Sequence, residues 1–199
     1  MKVKIKKQNK VESFNLINSW ADVTLSTWLS LIDFETGTKT EEATETIAAL
    51  SDIPKKLIKE LALSDVAAIM SKVGELQANQ DTKLKRIITI NEVEYGFHPD
   101  LDSITLGEYA DIEQFIKNGI DKQLPELMSV LYRPVKLKKN EIYIIEPYDG
   151  DIRLRAEEMK QMSAEQVQSA LVFFYTLGKV LSEIMPSYLM EKLKEMKTQ

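Results

Sequence analysis

Ile104–Pro134, ITLGEYADIEQFIKNGIDKQLPELMSVLYRP, is the stretch from which the architecture can be read. Thr105 and Glu108 stand at capping-box spacing, where a hydroxyl accepts from a free amide of the first turn and a carboxylate reaches back to the cap, so a helix starts here. Leu106, Tyr109, Ile112, Phe115 and Ile116 recur at three- and four-residue steps and make the expected buried stripe, leaving Glu108, Asp111, Glu113 and Lys117 on the wet side. Gly119 after Asn118 stops the helix. A second helix carries Pro125 in its first turn, turns Leu124, Leu127, Met128 and Leu131 inward, and runs to Arg133, where Pro134 prevents continuation. The pair is a helical hairpin whose apolar seams need other elements to cover them.

Those elements follow on either side. Residues 2–7 alternate Lys with Val3 and Ile5, the period of a strand with one wet face, and a polar irregular segment leads on to Trp20. Helices are expected from Leu25 to Phe34, from Thr40 to Leu50 behind a Thr38–Glu41 capping pair, briefly after Pro54, and from Ser64 to Ala78. Ile87 to Phe97 holds two β-rich runs around Asn91-Glu92 and predicts a hairpin. After Pro134 come a basic patch, VKLKKN, a strand from Glu141 to Glu146, a polar helix from Asp151 to Gln161, and an apolar helix opened by Ser163. Pro186 bends the chain before a charged last helix.

Val23-Thr24-Leu25 with Trp28 parallels Ile104-Thr105-Leu106 with Tyr109, and Leu63-Ser64 parallels Met162-Ser163 at a longer offset that takes in EIYIIEP. Two readings stay open: an internal duplication with pseudo-twofold layout, or repeated use of a common helix opening. The expected fold is α+β and predominantly α-helical. It is one domain over 1–199, in which two helical lobes, 1–82 and 83–199, are joined by a small β-hairpin or sheet.

A hydrophobic content of 44% and a charged content of 29% are those of a globular chain, and a formal net charge of −5 gives no general attraction to nucleic acid or anionic lipid. The absence of cysteine removes disulfides, thiolate metal sites and a cysteine nucleophile, and fits a reducing compartment. MKVKIKK lacks the apolar core of a signal peptide. The greasiest run, Ala170 to Tyr175, is too short to span a membrane and reads as a buried central helix or half of a subunit interface.

No motif names a chemistry. His98, the only histidine, precedes Pro99 in a turn and reads as a surface or capping residue. Asp100 with Asp102, and Asp149 with Asp151, have the spacing of turn and helix-entry acids; Arg153 and Arg155 stand where a calcium loop needs oxygen donors. No glycine loop cradles phosphate, and no pair of carboxylates is isolated among apolar residues. No catalytic, cofactor-binding or metal-ligating residue is therefore expected. The lysine-rich stretches Lys2–Lys7 and Lys136–Lys139 interleave aliphatic residues instead of aromatics, the pattern of solvated strand faces. Arg133 ends a helix with an apolar side and would cap its carbonyls or pair with a carboxylate of a neighbouring lobe or subunit. The candidate interface residues are Tyr132, Arg133, Phe173, Phe174 and Tyr175.

At TLGEYADIEQFI and LPELMSVLYRP, and loosely at SWADVTLSTWLSL, the sequence resembles a group of small proteins encoded among the structural genes of tailed bacteriophages, crAss-like phages included. The resemblance implies a non-enzymatic structural subunit at the neck, tail or capsid. Its partners would be other phage structural proteins and its own copies in a symmetric ring; composition and patterning add that no membrane is expected and that nucleic acid is disfavoured as a partner. It would be found in the virion after assembly in the bacterial host cytoplasm. A tail-assembly chaperone absent from the mature particle is the second reading, and a nucleic-acid or regulatory binder the third.

Overall fold

The computed structural model describes the backbone of residues 1–7, 10–34, 37–78 and 83–173. The elements in order are β1 (Lys2–Lys7), β2 (Lys10–Asn15), α1 (Leu25–Phe34), α2 (Lys39–Leu50), α3 (Lys55–Ile58), α4 (Leu63–Ala78), β3 (Ile87–Ile90), β4 (Val93–Phe97), α5 (Leu106–Lys117), α6 (Leu124–Leu131), β5 (Tyr132–Lys139), β6 (Ile142–Ile145) and α7 (Arg153–Met159). Residues 164–173 are helical as well. The fold is α+β with helix in excess. Its strands form a two-stranded sheet, β1-β2, and a four-stranded sheet in the order β3-β4-β5-β6, all antiparallel.

Local chemistry accounts for most boundaries. Thr38 with Glu41 and Thr105 with Glu108 form complete capping boxes at the starts of α2 and α5. Ser163 and Gln166 do the same for the last described helix. The β3–β4 hairpin turns on Asn91 and Glu92, both at positive φ, 48° and 66°, as a two-residue turn between twisted strands requires. Helix α4 begins at Leu63, with Val66 N donating to the Ala62 carbonyl, so Ser64 sits inside the first turn instead of capping it.

Three expectations are corrected. KVESFN is strand β2 and not irregular coil: its polar side chains mask the alternation, and only pairing with β1, from Lys2↔Asn15 to Lys7↔Lys10, defines it. The second helix of the hairpin stops at Leu131, and Tyr132-Arg133-Pro134 opens strand β5 with no intervening loop. Pro134 is accommodated opposite Tyr95, where its carbonyl still accepts from Glu146 N at 2.9 Å. The third correction concerns the stripe on α5. Ile112 and Phe115 are buried, but Leu106, Tyr109 and Ile116 are 83%, 54% and 47% exposed, and Glu108, expected on the wet side, is 1% exposed. The helix is rotated so that its capping carboxylate faces the interior.

The buried apolar residues fall into two clusters. One joins Phe97, Ile112, Phe115, Leu127, Leu131, Tyr132 and Val167 with others from the second half of the chain; the other joins Ile5, Trp20, Ile47, Leu50, Ile69 and Val73. Trp28 packs against both. The halves also exchange residues, since Leu25 belongs to the first cluster and Ala164 to the second. They are stitched where Leu25 N meets Met162 O and Ala164 N meets Val23 O, each at 2.7 Å.

Candidate functional site

A buried cluster of ionisable side chains, Glu108, Arg133 and His98, lies between α5, β4 and β5. Register sets it: β4 and β5 pair as Gly96↔Arg133 and Phe97↔Tyr132, and His98 N donates to the Leu131 carbonyl at 2.7 Å. Arg133 and His98 are thereby brought to the same end of the sheet, over which α5 lies. The Glu108 Oε2 atom accepts from the Thr105 amide at 2.7 Å and the Thr105 hydroxyl at 2.6 Å. Its Oε1 atom lies 2.7 Å from Arg133 Nη2, off the angle of a well-formed hydrogen bond, and 3.5 Å from His98 Nε2. The Arg133 guanidinium carbon sits 5.8 Å from the Tyr148 ring centroid, and the Tyr148 hydroxyl donates to Asp111.

Electrostatics follow from this geometry. Burial pushes the Glu108 carboxyl up, but the two Thr105 bonds, Arg133 and His98 together outweigh it and hold the group below its ordinary range. Burial lowers His98, and Arg133 adds to that against the opposing pull of Glu108 and Asp100. The cluster at neutral pH is thus a carboxylate, a guanidinium and an uncharged imidazole. His98 also lines a cleft of about 150 Å³ with Arg86, Pro99, Asp100 and Leu101, and its Nδ1 makes no hydrogen bond. Among the described residues no hydroxyl or thiol nucleophile lines that cleft, and Glu108 Oε1 is already engaged by the guanidinium. The arrangement is a clamp that closes α5 onto the sheet.

The structure separates the candidate interface residues. Tyr132 is fully buried, with its hydroxyl donating to Lys85 O at 2.7 Å and its ring set edge-on to Phe97 at 5.1 Å. Arg133 is 4% exposed and its carboxylate partner belongs to this chain. Neither presents a surface to a partner. Phe173 is half-buried and packs edge-on against Phe97 at 5.5 Å. Phe174 and Tyr175 lie outside the described residues. His98, expected as a surface or capping residue, is buried. Asp149 accepts from Asp151 N in a turn and lies 3.6 Å from Arg155, while the side chain of Asp102 is outside the described set. Among the described residues, no group of three or more His, Asp or Glu converges as a metal site would, and no helix is long and apolar enough to cross a membrane. The two lysine stretches lie in separate sheets, β1 and β5.

Surface apolar side chains gather elsewhere. Leu137 pairs with Ile144 across β5–β6, and these two with Ile142 are 67%, 56% and 78% exposed. They share the outer face of the hairpin, because Tyr143 and Ile145, between and beyond them, are buried. Among the described residues β6 is the edge of its sheet. Alternation along EIYIIEP signals such a two-sided strand, but the sequence does not say which side is wet. Comparison of the chain with protein-family models, curated proteins and solved structures finds no match.

Proposed function

We propose that this protein is a non-enzymatic structural subunit of a tailed-bacteriophage particle, acting through contacts with its own copies in a symmetric ring and with other phage structural proteins. The observation that carries the protein-contact reading is the apolar outer face of the β5–β6 hairpin at an open sheet edge. Covering side chains such as Leu137, Ile142 and Ile144 stabilises an assembly by roughly 1.5–3 kcal/mol each when burial is complete. An exposed edge strand bearing aliphatic residues is a pairing hazard for a monomer and an asset for a subunit. The phage setting rests on the resemblance of TLGEYADIEQFI and LPELMSVLYRP. The two core clusters support reading the halves as lobes of a duplicated unit: Thr24 and Thr105 each accept from the backbone amide three residues on, at 3.2 and 3.3 Å.

Mass spectrometry of purified particles tests the reading, with the expected result that the chain is present at a copy number matching a ring. Presence in infected cells together with absence from particles would transfer the assignment to an assembly chaperone.

A further inference from the structure

We propose that the open edge of β1 and the facing side of α4 form a docking groove for an extended acidic peptide strand of a partner protein. This names the partner chemistry of one surface and rests on the protein-contact reading above. The phase of the β1–β2 ladder fixes which backbone groups are free. Met1 and Leu16 exchange both bonds, Met1 N to Leu16 O at 2.6 Å and Leu16 N to Met1 O at 2.7 Å. In an antiparallel pair such doubly bonded positions recur at every second residue, so Val3 and Ile5 bond to β2. The N–H and C=O groups of Lys2, Lys4 and Lys6 therefore point away from β2, and among the described residues no third strand meets them.

A groove of about 490 Å³ runs there, lined by all of Lys2 to Lys6 and by Asp65, Ala68, Ile69 and Lys72 of α4. Five consecutive residues of β1 line it, and because neighbours on a strand point to opposite faces, a groove that meets all five runs along the strand's edge. The α4 residues stand at three- and four-residue steps and so form one stripe. Lys2, Lys4 and Lys6 are exposed, and neither they nor Lys72 pair with a carboxylate among the described residues. Four unpaired cations against the single Asp65 make the groove basic in a chain whose net charge is −5.

Edge lysines repel a second strand of the same charge, which excludes β1 of another copy, and they admit a strand bearing carboxylates. Lysines at alternate positions lie roughly 6.6 Å apart along the strand, a spacing met by acids at every second residue of an added strand. The free main-chain groups favour a peptide over a nucleic acid, because β-augmentation uses them directionally. Ile69 and Ala68 offer apolar contact, and among the described residues no aromatic side chain lines the groove to stack a base.

The test is fluorescence anisotropy of the full chain with a short labelled peptide of alternating Glu and Val, and with labelled oligo-dT as the second probe, both at low salt. Reversing Lys2, Lys4 and Lys6 to Glu together is expected to weaken peptide binding at least about tenfold, that is about 1.4 kcal/mol. Lys4→Pro removes an outward N–H that β2 does not use, a position where a strand tolerates proline. It is expected to bind markedly more weakly than Lys4→Gln, which loses only the charge. Circular dichroism checks that each variant keeps its fold. Equal binding by Lys4→Pro and Lys4→Gln, tighter binding of oligo-dT than of peptide, or no peptide binding at all would each overturn the proposal. A silent groove in a chain still present in particles removes only this inference, whereas peptide binding is readable whether or not the chain is in particles.

Discussion

Glu108 carries two structural duties, capping α5 through Thr105 and neutralising the guanidinium of Arg133. Removing one member of a buried ion pair strands the other, which costs roughly 3–5 kcal/mol. Glu108→Ala is expected to lose about that much in urea unfolding, and more than Thr38→Ala, which removes a cap at an exposed site and costs about 1 kcal/mol. A smaller loss in Glu108→Ala than in Thr38→Ala would mean that the pair contributes nothing net. The same cluster sets a pH dependence. Glu108 and His98 both sit below their ordinary values of 4.5 and 6.5 in the folded chain, so the unfolded chain binds protons more readily at both. The associated stability is complete above pH 6.5, declines as pH falls through the His98 range, and declines further below pH 4.5. Thermal melts between pH 7.5 and 4 check this, and His98→Gln is expected to remove the upper part of the decline while leaving the lower part.

Gly96 shows how closely the sheet elements approach. A Cβ built there would lie 2.5 to 2.8 Å from atoms of Tyr143 and Ile145 on β6, although β6 is two strands away in the sheet order. Gly96→Ala is expected to destabilise by roughly 1–3 kcal/mol through overpacking, measurable by chemical denaturation. The opposite outcome, a neutral or stabilised variant, would show that β6 shifts freely and does not seal the core. Capped helices were legible in the sequence because caps are local: Thr38 with Glu41 and Thr105 with Glu108 lie within one turn of each other. Strand β2 was not, since KVESFN becomes a strand only through the partner that supplies its hydrogen bonds. The rotation of α5 was hidden for a related reason. Leu106, Tyr109 and Ile116 satisfy the helical period as well as Ile112 and Phe115 do, and only the neighbours that α5 meets, the core around Ile112 and Phe115 and the Arg133 beside Glu108, distinguish the two faces.

The proposed assembly places its contact on the outer face of the β5–β6 hairpin. Replacing Ile142 and Ile144 together by Lys alters exposed side chains and leaves Tyr143 and Ile145 over the core, so the fold should remain while association is lost. Light scattering coupled to size exclusion is the measurement, with a shift to the mass of a single chain expected. An unchanged oligomer would move the contact to another face, such as the outward stripe of Leu106, Tyr109 and Ile116 on α5. Neither surface is among the interface residues the sequence suggests, Tyr132, Arg133, Phe173, Phe174 and Tyr175, of which Tyr132 and Arg133 are buried. Aromatic and guanidinium side chains mark interfaces and buried clamps alike, and residue type alone does not separate the two.

Composition, helical period, cap spacing and turn residues determined the class of the fold and most helix starts, because each depends on residues a few positions apart. The tertiary structure alone decided that Glu108, His98 and Arg133 meet, that a helix passes into a strand at Tyr132, and that Leu137, Ile142 and Ile144 stay in solvent. Those outcomes depend on which distant segment occupies each face, and burial is a property of that neighbour and not of the residue itself.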